Sequence, residues 1–485
     1  MRHLPLITGT LLASTMALAL TSPVSAQTVR LEDVIAAAAK GTPQTQQEDE
    51  RVRRAAGQLQ QAGGAFDWRA SAESGWEQLY VPKVVNGFLS SQLSKPQVWR
   101  STLGVGRRFR NGIDVTPGFT WATGSSATAG QTFGLTEPRP TLNLNVPLFR
   151  GRGADNEFAA NERAAQAGLE GASLGRAFSG ERAVYDAVQV YWRCLSVRQT
   201  LEVLDADQRG SDDYLATLRN LVARGQIEPT LLDRSLANQA IQRVALGRAQ
   251  AADQTCRRDL AIAMGSSTAG PLPTAVGDFP AMDGLNQAAN MLNEQALSNL
   301  ALAERLDLKA LARFEAGEAE RVRGARNGVH PQVDIFIDPT RVMVRYTQAI
   351  GANSSEGALA AAVASESEAR INIVQLQNQI RVDVSDQVRN LKESLANWTA
   401  LTESAGLLGS VVSDAQTRSQ AGIITQQQYR DTQNELAEVR RQAIDAKLQY
   451  ASSLAALRLA TGTIKTGDGT GPDSLANVFR TLPNQ

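Results

Sequence analysis

Ala223-Arg224-Gly225-Gln226-Ile227 and Gln420-Ala421-Gly422-Ile423-Ile424 occupy matching places 197 residues apart, and their reading decides the fold. Laid against itself at that offset, the chain also aligns Asp186 with Asp383, Ala240 with Ala437, Arg243 with Arg440, Leu260 with Leu457 and Gly265 with Gly462, without a gap. Gly225 and Gly422 each lie between long proline-free stretches of polar residues and alanine. Gly265 and Gly462 each end one. A glycine just past the last helical residue takes the left-handed conformation that stops a helix. Each copy therefore predicts a helical hairpin with one glycine at its tip and another at its end.

Outward from the tips, Val184, Val188, Tyr191 and Leu195 follow a 4-3-4 spacing, as do Val384, Val388, Leu391, Leu395 and Trp398. This is the narrow stripe of a coiled coil rather than the broad apolar face of a globular helix. The arms are unequal: residues 155–223 span about 100 Å as a helix, whereas the returning residues 229–264 span about 54 Å. The segment at 286–327, after a Gly/Pro-rich linker, supplies about 63 Å to fill the gap. In the second copy residues 356–420 return as 425–461, and the N-terminal helix at 31–61, about 46 Å long, is the complement. Two long helices and four short ones stacked in pairs predict a cylinder segment about 100 Å tall.

Between the helical blocks the apolar period changes to 2. Leu142, Leu144, Val146 and Leu148 alternate with Thr141, Asn143, Asn145 and Pro147, the pattern of a strand with one face toward lipid or core. Val333, Ile335 and Ile337 do the same, and after the Asp338-Pro339 turn so do Val342, Val344 and Tyr346. Residues 101–109 and 113–121 flank Asn111-Gly112, a strong hairpin-turn signal, and a weaker strand opens at Trp68. Past residue 26 no apolar run reaches the ~18 residues that a membrane-crossing helix needs, so any crossing is made by strands. Four or six strands from one chain cannot close a pore-sized barrel, and several chains must contribute.

The first residues read as an exported leader: Met1-Arg2-His3, an apolar stretch at 4–20, then Val24-Ser25-Ala26 before Gln27, a small-x-small cleavage pattern. Formal charge is +0, and losing Arg2 takes it to about −1, a balance that gives no sign of nucleic-acid binding. Cys194 and Cys256 are the only cysteines, and their midpoint is residue 225, the tip glycine. Arms paired about that glycine bring the two together, which predicts a disulfide in an exported protein; two free buried thiols are the alternative. Catalytic chemistry has no carrier in the sequence. His330 is the one histidine after the leader and stands before Pro331, and Gly104-x-Gly106 and Gly151-x-Gly153 lack the third glycine of a nucleotide loop. No catalytic residue, cofactor or metal site is expected.

Leu31-Glu32-Asp33-Val34-Ile35 with Thr42-Pro43, Val146-Pro147-Leu148-Phe149-Arg150-Gly151, Val190-Tyr191-Trp192, Ala223-Arg224-Gly225 and the segment 457–462 follow one another in an order that resembles the TolC-like outer-membrane efflux proteins. The resemblance covers nearly the whole chain after the leader. It implies a mainly α fold with a small β part: a two-fold repeat of long coiled-coil hairpins with transmembrane strands. Three copies would form a homotrimeric twelve-stranded β-barrel in outer-membrane lipid, continuous with an α-helical periplasmic tunnel. The implied function is a passive exit duct for small molecules or polypeptides. Its implied partners are a periplasmic adaptor, or membrane fusion protein, and an inner-membrane efflux pump or ABC secretion transporter.

On that pattern Ala223, Arg224, Gly225, Gln226 and Ile227, with Gln420, Ala421, Gly422, Ile423 and Ile424, are the adaptor-docking tips. Leu142, Leu144, Val146 and Leu148 face lipid. Aspartate rings often close the family's periplasmic entrance, and here the two positions hold Gln428 and Asp431. Three copies of Asp431 about a threefold axis would favour cations, while a solvated helix-surface aspartate is the equal alternative. The expected divisions are a leader at 1–26, N-terminal helix 27–66, strands with an extracellular excursion 67–150, first hairpin 151–265, equatorial linker 266–285, helix 286–328, short β-hairpin 329–350, second hairpin 351–462 and polar tail 463–485. The rival readings are a periplasmic adaptor, which calls for one helical hairpin rather than two, and a soluble coiled-coil scaffold without a pore.

Overall fold

The computed structural model describes residues 28–78, 81–85, 88–94, 97–125, 138–281, 289, 292–466 and 471–483; the leader lies outside them. Two helices dominate: α3 (Glu157–Ala223, 67 residues) and α7 (Asn353–Gln420, 68 residues), each about 100 Å long. Each turns back at a tip into a 35-residue partner, α4 (Pro229–Ala263) and α8 (Gln426–Ala460). At both tips the chain stops the same way. Gly225 and Gly422 sit at φ 68° and 73°, and the next residue's N–H returns to the carbonyl five residues back, Gln226 to Leu221 and Ile423 to Arg418. Gly265 and Gly462 end α4 and α8 with the same closure. These two-bond stops satisfy carbonyls that an unterminated helix leaves bare.

The shorter helices α1 (Leu31–Lys40), α2 (Pro43–Gly63), α5 (Glu294–Glu304) and α6 (Leu306–Val329) fill the space beside the long pair. In the half next to the sheet the side-by-side order is α2-α3-α6-α7, and in the other half it is α4-α3-α8-α7. The core lies where the halves meet. Val184, Val188, Tyr191 and Leu195 pack with Leu31, Val34, Ile35 and Leu260, and Ile380, Val384, Leu391 and Leu395 pack with Leu297, Tyr450, Leu454 and Leu457. Both 4-3-4 stripes of the sequence are thus buried seams.

Six strands form one antiparallel sheet: β2 (Arg69–Gln78), β5 (Gln97–Arg108), β6 (Asp114–Ser125), β7 (Arg139–Pro147), β9 (Gln332–Asp338) and β10 (Arg341–Thr347). Their order is β10-β9-β7-β6-β5-β2. A separate hairpin, β3 (Val81–Val85) with β4 (Phe88–Ser94), joins the ends of β2 and β5 remote from the helices. The remaining pair, β1 (Thr28–Val29) and β8 (Thr274–Ala275), is parallel and ties the N-terminus to the linker at mid-height.

Four expectations change. The N-terminal helix is two helices, because Gly41 leaves the helical region and Thr42 caps a new start at Pro43, its side chain accepting from the Thr45 N–H. The polar tail carries α9 (Pro472–Val478), and its Leu475, Ala476 and Phe479 are buried in the central core. The Asn111-Gly112 turn, placed by the sequence in the extracellular excursion, lies at the helical end of the sheet. There Gly153 N–H donates to the Asn111 carbonyl and Arg110 pairs with Glu162 of α3 at 2.6 Å. A turn signal gives no polarity, and the extra strand pair reverses it. Finally, three copies need only four strands each for a ring of twelve, and this sheet has six.

Candidate functional sites: the sheet wall and the hairpin tips

Antiparallel register fixes which residues share a face. Trp76 opposes Trp99, Leu103 opposes Phe119, Val115 opposes Leu144, Val146 opposes Ile335, and Ile337 opposes Val342. This face is apolar across all six strands, yet it is open: Trp76 is 55% exposed, Phe119 56%, Leu142 45% and Val342 70%. Leu144 and Val146 are half-buried on it, and Leu148 continues just past the end of β7. Its few hydroxyls satisfy each other, with Ser74 and Ser101 oxygens 2.7 Å apart and Trp99 Nε1 donating to Ser74. Aromatics stand at both ends, Trp76 and Trp99 far from the helices, Trp68 and Tyr346 near them. Trp68 to Trp76 spans about 26 Å along the strand, or about 20 Å at a barrel tilt, somewhat short of the ~25 Å apolar band that interfacial aromatics bracket.

The other face carries Glu73, Glu77, Arg100, Thr102, Arg108, Asp114, Thr116, Thr120, Asn143, Asn145, Asp334 and Arg345. Arg108 pairs with Asp114 at 2.8 Å, Arg100 with Glu77 at 2.8 Å, and the Thr102 and Thr120 hydroxyls lie 3.1 Å apart. One sheet thus has an apolar surface on one side and a polar one on the other. Among the described residues no helix is long and apolar enough to cross a membrane.

At the opposite end, Ala223, Arg224, Gly225 and Gln226 are exposed, as are Gln420, Ala421, Gly422 and Ile423, while Ile227 and Ile424 are half-buried. The tips are not level. Tyr214 Oη donates to Gln427 Oε1 at 3.1 Å and Arg430 meets Asp207, so the first tip runs about 11 Å past the second. Gln428, an expected gate position, is committed to the start of α8: it accepts from the Thr425 N–H and its own N–H donates to Thr425 Oγ1. Asp431 is exposed.

The residue beside it, Arg430, was not singled out by the sequence reading. Its side chain is only 9% exposed, its Nη2 lies 2.6 Å from Asp207 Oδ1, and it also donates to the Asp207 carbonyl at 2.9 Å. Asp207 accepts from Gln242 of α4 as well, at 3.0 Å. One carboxylate therefore ties α3, α4 and α8 together. The guanidinium lies against Gly210, where any Cβ would come within 2.7 Å of Nη1. Partners 223 residues apart leave no periodic trace; a mid-helix glycine was the only signal. Nearby, burial pushes the Tyr214 hydroxyl pKa up, and the Asp431 charge adds to it.

Cys194 and Cys256 form a disulfide, Cα–Cα 5.4 Å, where α3 and α4 meet the central core. Farther toward the sheet along α3, Glu181 is 4% exposed. Burial, reinforced by the charge of Asp307, pushes its carboxyl up to about 8 against the opposing pull of Lys465 and Lys309. The described residues contain no group of three or more His, Cys, Asp or Glu placed to hold a metal.

No family model matches the chain, and no curated protein matches it. Solved structures do. The CmeC outer membrane channel of Campylobacter jejuni aligns over 99% of this chain and 98% of its own, with TM-score 0.66 and 11% identity. The outer membrane protein VceC of Vibrio cholerae aligns over 89% and 96%, with TM-score 0.62 and 16% identity. The open state of the Neisseria gonorrhoeae MtrE outer membrane channel aligns over 91% and 93%, with TM-score 0.61 and 12% identity. At these identities the likeness is one of architecture, and it extends over more than nine-tenths of each of these structures: the chain has the fold of these outer-membrane channels.

Proposed function

We propose that the protein is the outer-membrane exit duct of an export system, working as a homotrimer. The observation that carries this reading is the sheet's open apolar face, ringed by aromatics at both ends and backed by a polar face, on a helical stalk about 100 Å long. A soluble cap would bury such a face. In the duct, the apolar face meets outer-membrane lipid, the polar face lines water, and the helical layers of three copies close a periplasmic tunnel. The exposed tips around Gly225 and Gly422 dock a periplasmic adaptor, which joins the duct to an inner-membrane pump or secretion transporter.

The entrance lies at the tip end, where Asp431 stands exposed beside the Arg430–Asp207 tie. The tie holds α8 against α3, and separating the two helices widens the entrance. As a passive conduit, the duct leaves selectivity for cargo to the transporter it serves. Cell fractionation tests the reading: the mature protein is expected in the outer-membrane fraction, released by detergent only, and conducting in planar bilayers as a trimer. Release by salt or carbonate alone would sink it and favour a soluble scaffold.

A further inference from the structure

The sheet and the helical layer beneath it have the same two edges. In the sheet the outer strands are β2 and β10; in the adjoining helical layer the outer helices are α2 and α7. β2 follows α2 in the chain and β10 leads into α7. A head-to-tail contact that joins α7 of one copy to α2 of the next therefore also brings β10 of the first to β2 of the second. The two strands run in opposite senses, β2 away from the helices and β10 toward them, so the new pair is antiparallel like every other in the sheet.

Resting on the trimeric duct proposed above, we infer that β2 and β10 pair between copies and that three copies close a barrel of eighteen strands, six from each chain. The widths agree: six tilted strands occupy about 38 Å of circumference, and four packed helices also occupy about 38 Å. A four-strand contribution covers only about 25 Å and has to taper. Chemistry at the joint is complementary as well. On the polar face the β2 edge presents Glu73 and Glu77 and the β10 edge presents Arg341 and Arg345. Among the described residues Glu73 and Arg345 have no ion-pair partner within the chain. Open backbone edges cannot remain in hydrocarbon, so each needs an occupant. A second copy supplies it on the same register of faces, with Trp76 and Val344 both outward.

The strands responsible for the width are β5 and β6, a hairpin inserted between β2 and β7 and wholly within the wall. Eighteen strands give a backbone-to-backbone diameter of about 35 Å against about 24 Å for twelve, an opening of about twice the area. The duct then leaves the cell without narrowing at the membrane, which fits cargo as bulky as a partly folded polypeptide rather than small molecules alone.

Single-particle imaging of the unaltered trimer in lipid nanodiscs tests this directly by strand count and diameter. The expected wall has eighteen strands. A trimeric, conducting particle whose wall has twelve, with residues 97–125 folded outside it, overturns the inference and leaves the duct reading intact. A protein that needs no detergent defeats the duct reading first. Spin labels at Leu103→Cys and Phe119→Cys give a second measure, since the native cysteines are already bridged. Greater collision with oxygen than with a water-soluble nickel chelate supports a wall position, and the reverse overturns it.

Discussion

The two repeats agree in their helices and differ in their strands. The hairpins α3–α4 and α7–α8 match in length to within a residue and end on the same glycine closures. The strand blocks above them are unequal: four strands of the shared sheet come from the first repeat, β2, β5, β6 and β7, and two from the second, β9 and β10. The difference follows from what each part must satisfy. Long helices packed side by side must reach the same heights, so a length change in one copy alone leaves its neighbour unmatched. A sheet can gain two strands at a time, because a hairpin returns the chain to the side it left and leaves both edges where they were.

Agreement in length does not extend to how each hairpin is fastened. In the first, Cys194 and Cys256 are bridged; the matching positions of the second hold Leu391 and Ser453, and its seam is filled by Trp398 against Tyr450, ring centroids 5.3 Å apart. Trp398→Ala should therefore be the larger blow, about 3–5 kcal/mol from lost burial and a residual cavity. Hydrogen exchange should show faster opening in α7 and α8 while α3 and α4 keep their protection. Equal loosening of both hairpins would mean that they do not open as separate units.

Arg430→Ala tests the tie between the hairpins. It leaves the Asp207 carboxylate, 14% exposed, without its cation, a change of about 3–5 kcal/mol at a buried pair. Because the loss is local to the tip end, the expected readout is a raised open fraction in bilayer recordings with little change in the melting of the central core. Asp207→Asn with Arg430→Met should recover much of the loss, since neither partner is then left charged and buried. Unaltered conductance in the single variant would remove this tie from the entrance.

The strand blocks are tested by charge on either face of one strand. Leu142→Arg puts a cation on the apolar face, at about 2–4 kcal/mol near mid-membrane, whereas Asn143→Arg points to the polar face and should be tolerated. Assembly yield in the outer membrane distinguishes the two; equal yields would contradict a lipid-facing wall. Removing the disulfide with Cys194→Ser and Cys256→Ser should follow at about 2–4 kcal/mol, from a loop of 62 residues that it closes in the unfolded chain. Its effect should be confined to the first hairpin, the converse of Trp398→Ala.

What the residues disclosed in advance divides along the same line. Heptad spacing, tip glycines and the midpoint of the two cysteines are local or symmetric signals, and they located both hairpins. Strands announced themselves by alternation, and the pair at 101–109 and 113–121 was among them, but alternation does not say which end of a turn faces the helices, so Asn111-Gly112 was placed at the wrong end of the sheet. The β1–β8 pair is two residues long, too short for any period. Helix α9 buries only a few apolar residues from a segment that reads as polar. At the tips, Arg430 and Asp207 depend on a register between helices far apart in the chain, which no spacing within one helix encodes.

The smallest expected effect separates the hairpins by pH. Glu181 of α3 is buried with its carboxyl pushed up to about 8, while the matching position of α7 is Asn378, exposed and without charge. The folded state holds the Glu181 proton more tightly than the unfolded chain, whose carboxyl loses it near 4.5. Its contribution to stability is thus fully present below pH 4.5, declines as pH rises, and is lost above about 8. Glu181→Gln keeps the neutral shape at every pH and should flatten that decline. Melting midpoints at pH 5 should coincide, while at pH 8.5 the variant should exceed the parent by about 1 °C for each kcal/mol recovered. Parallel curves would mean that Lys309 and Lys465 already hold the ionised form, and that the two hairpins respond to pH alike.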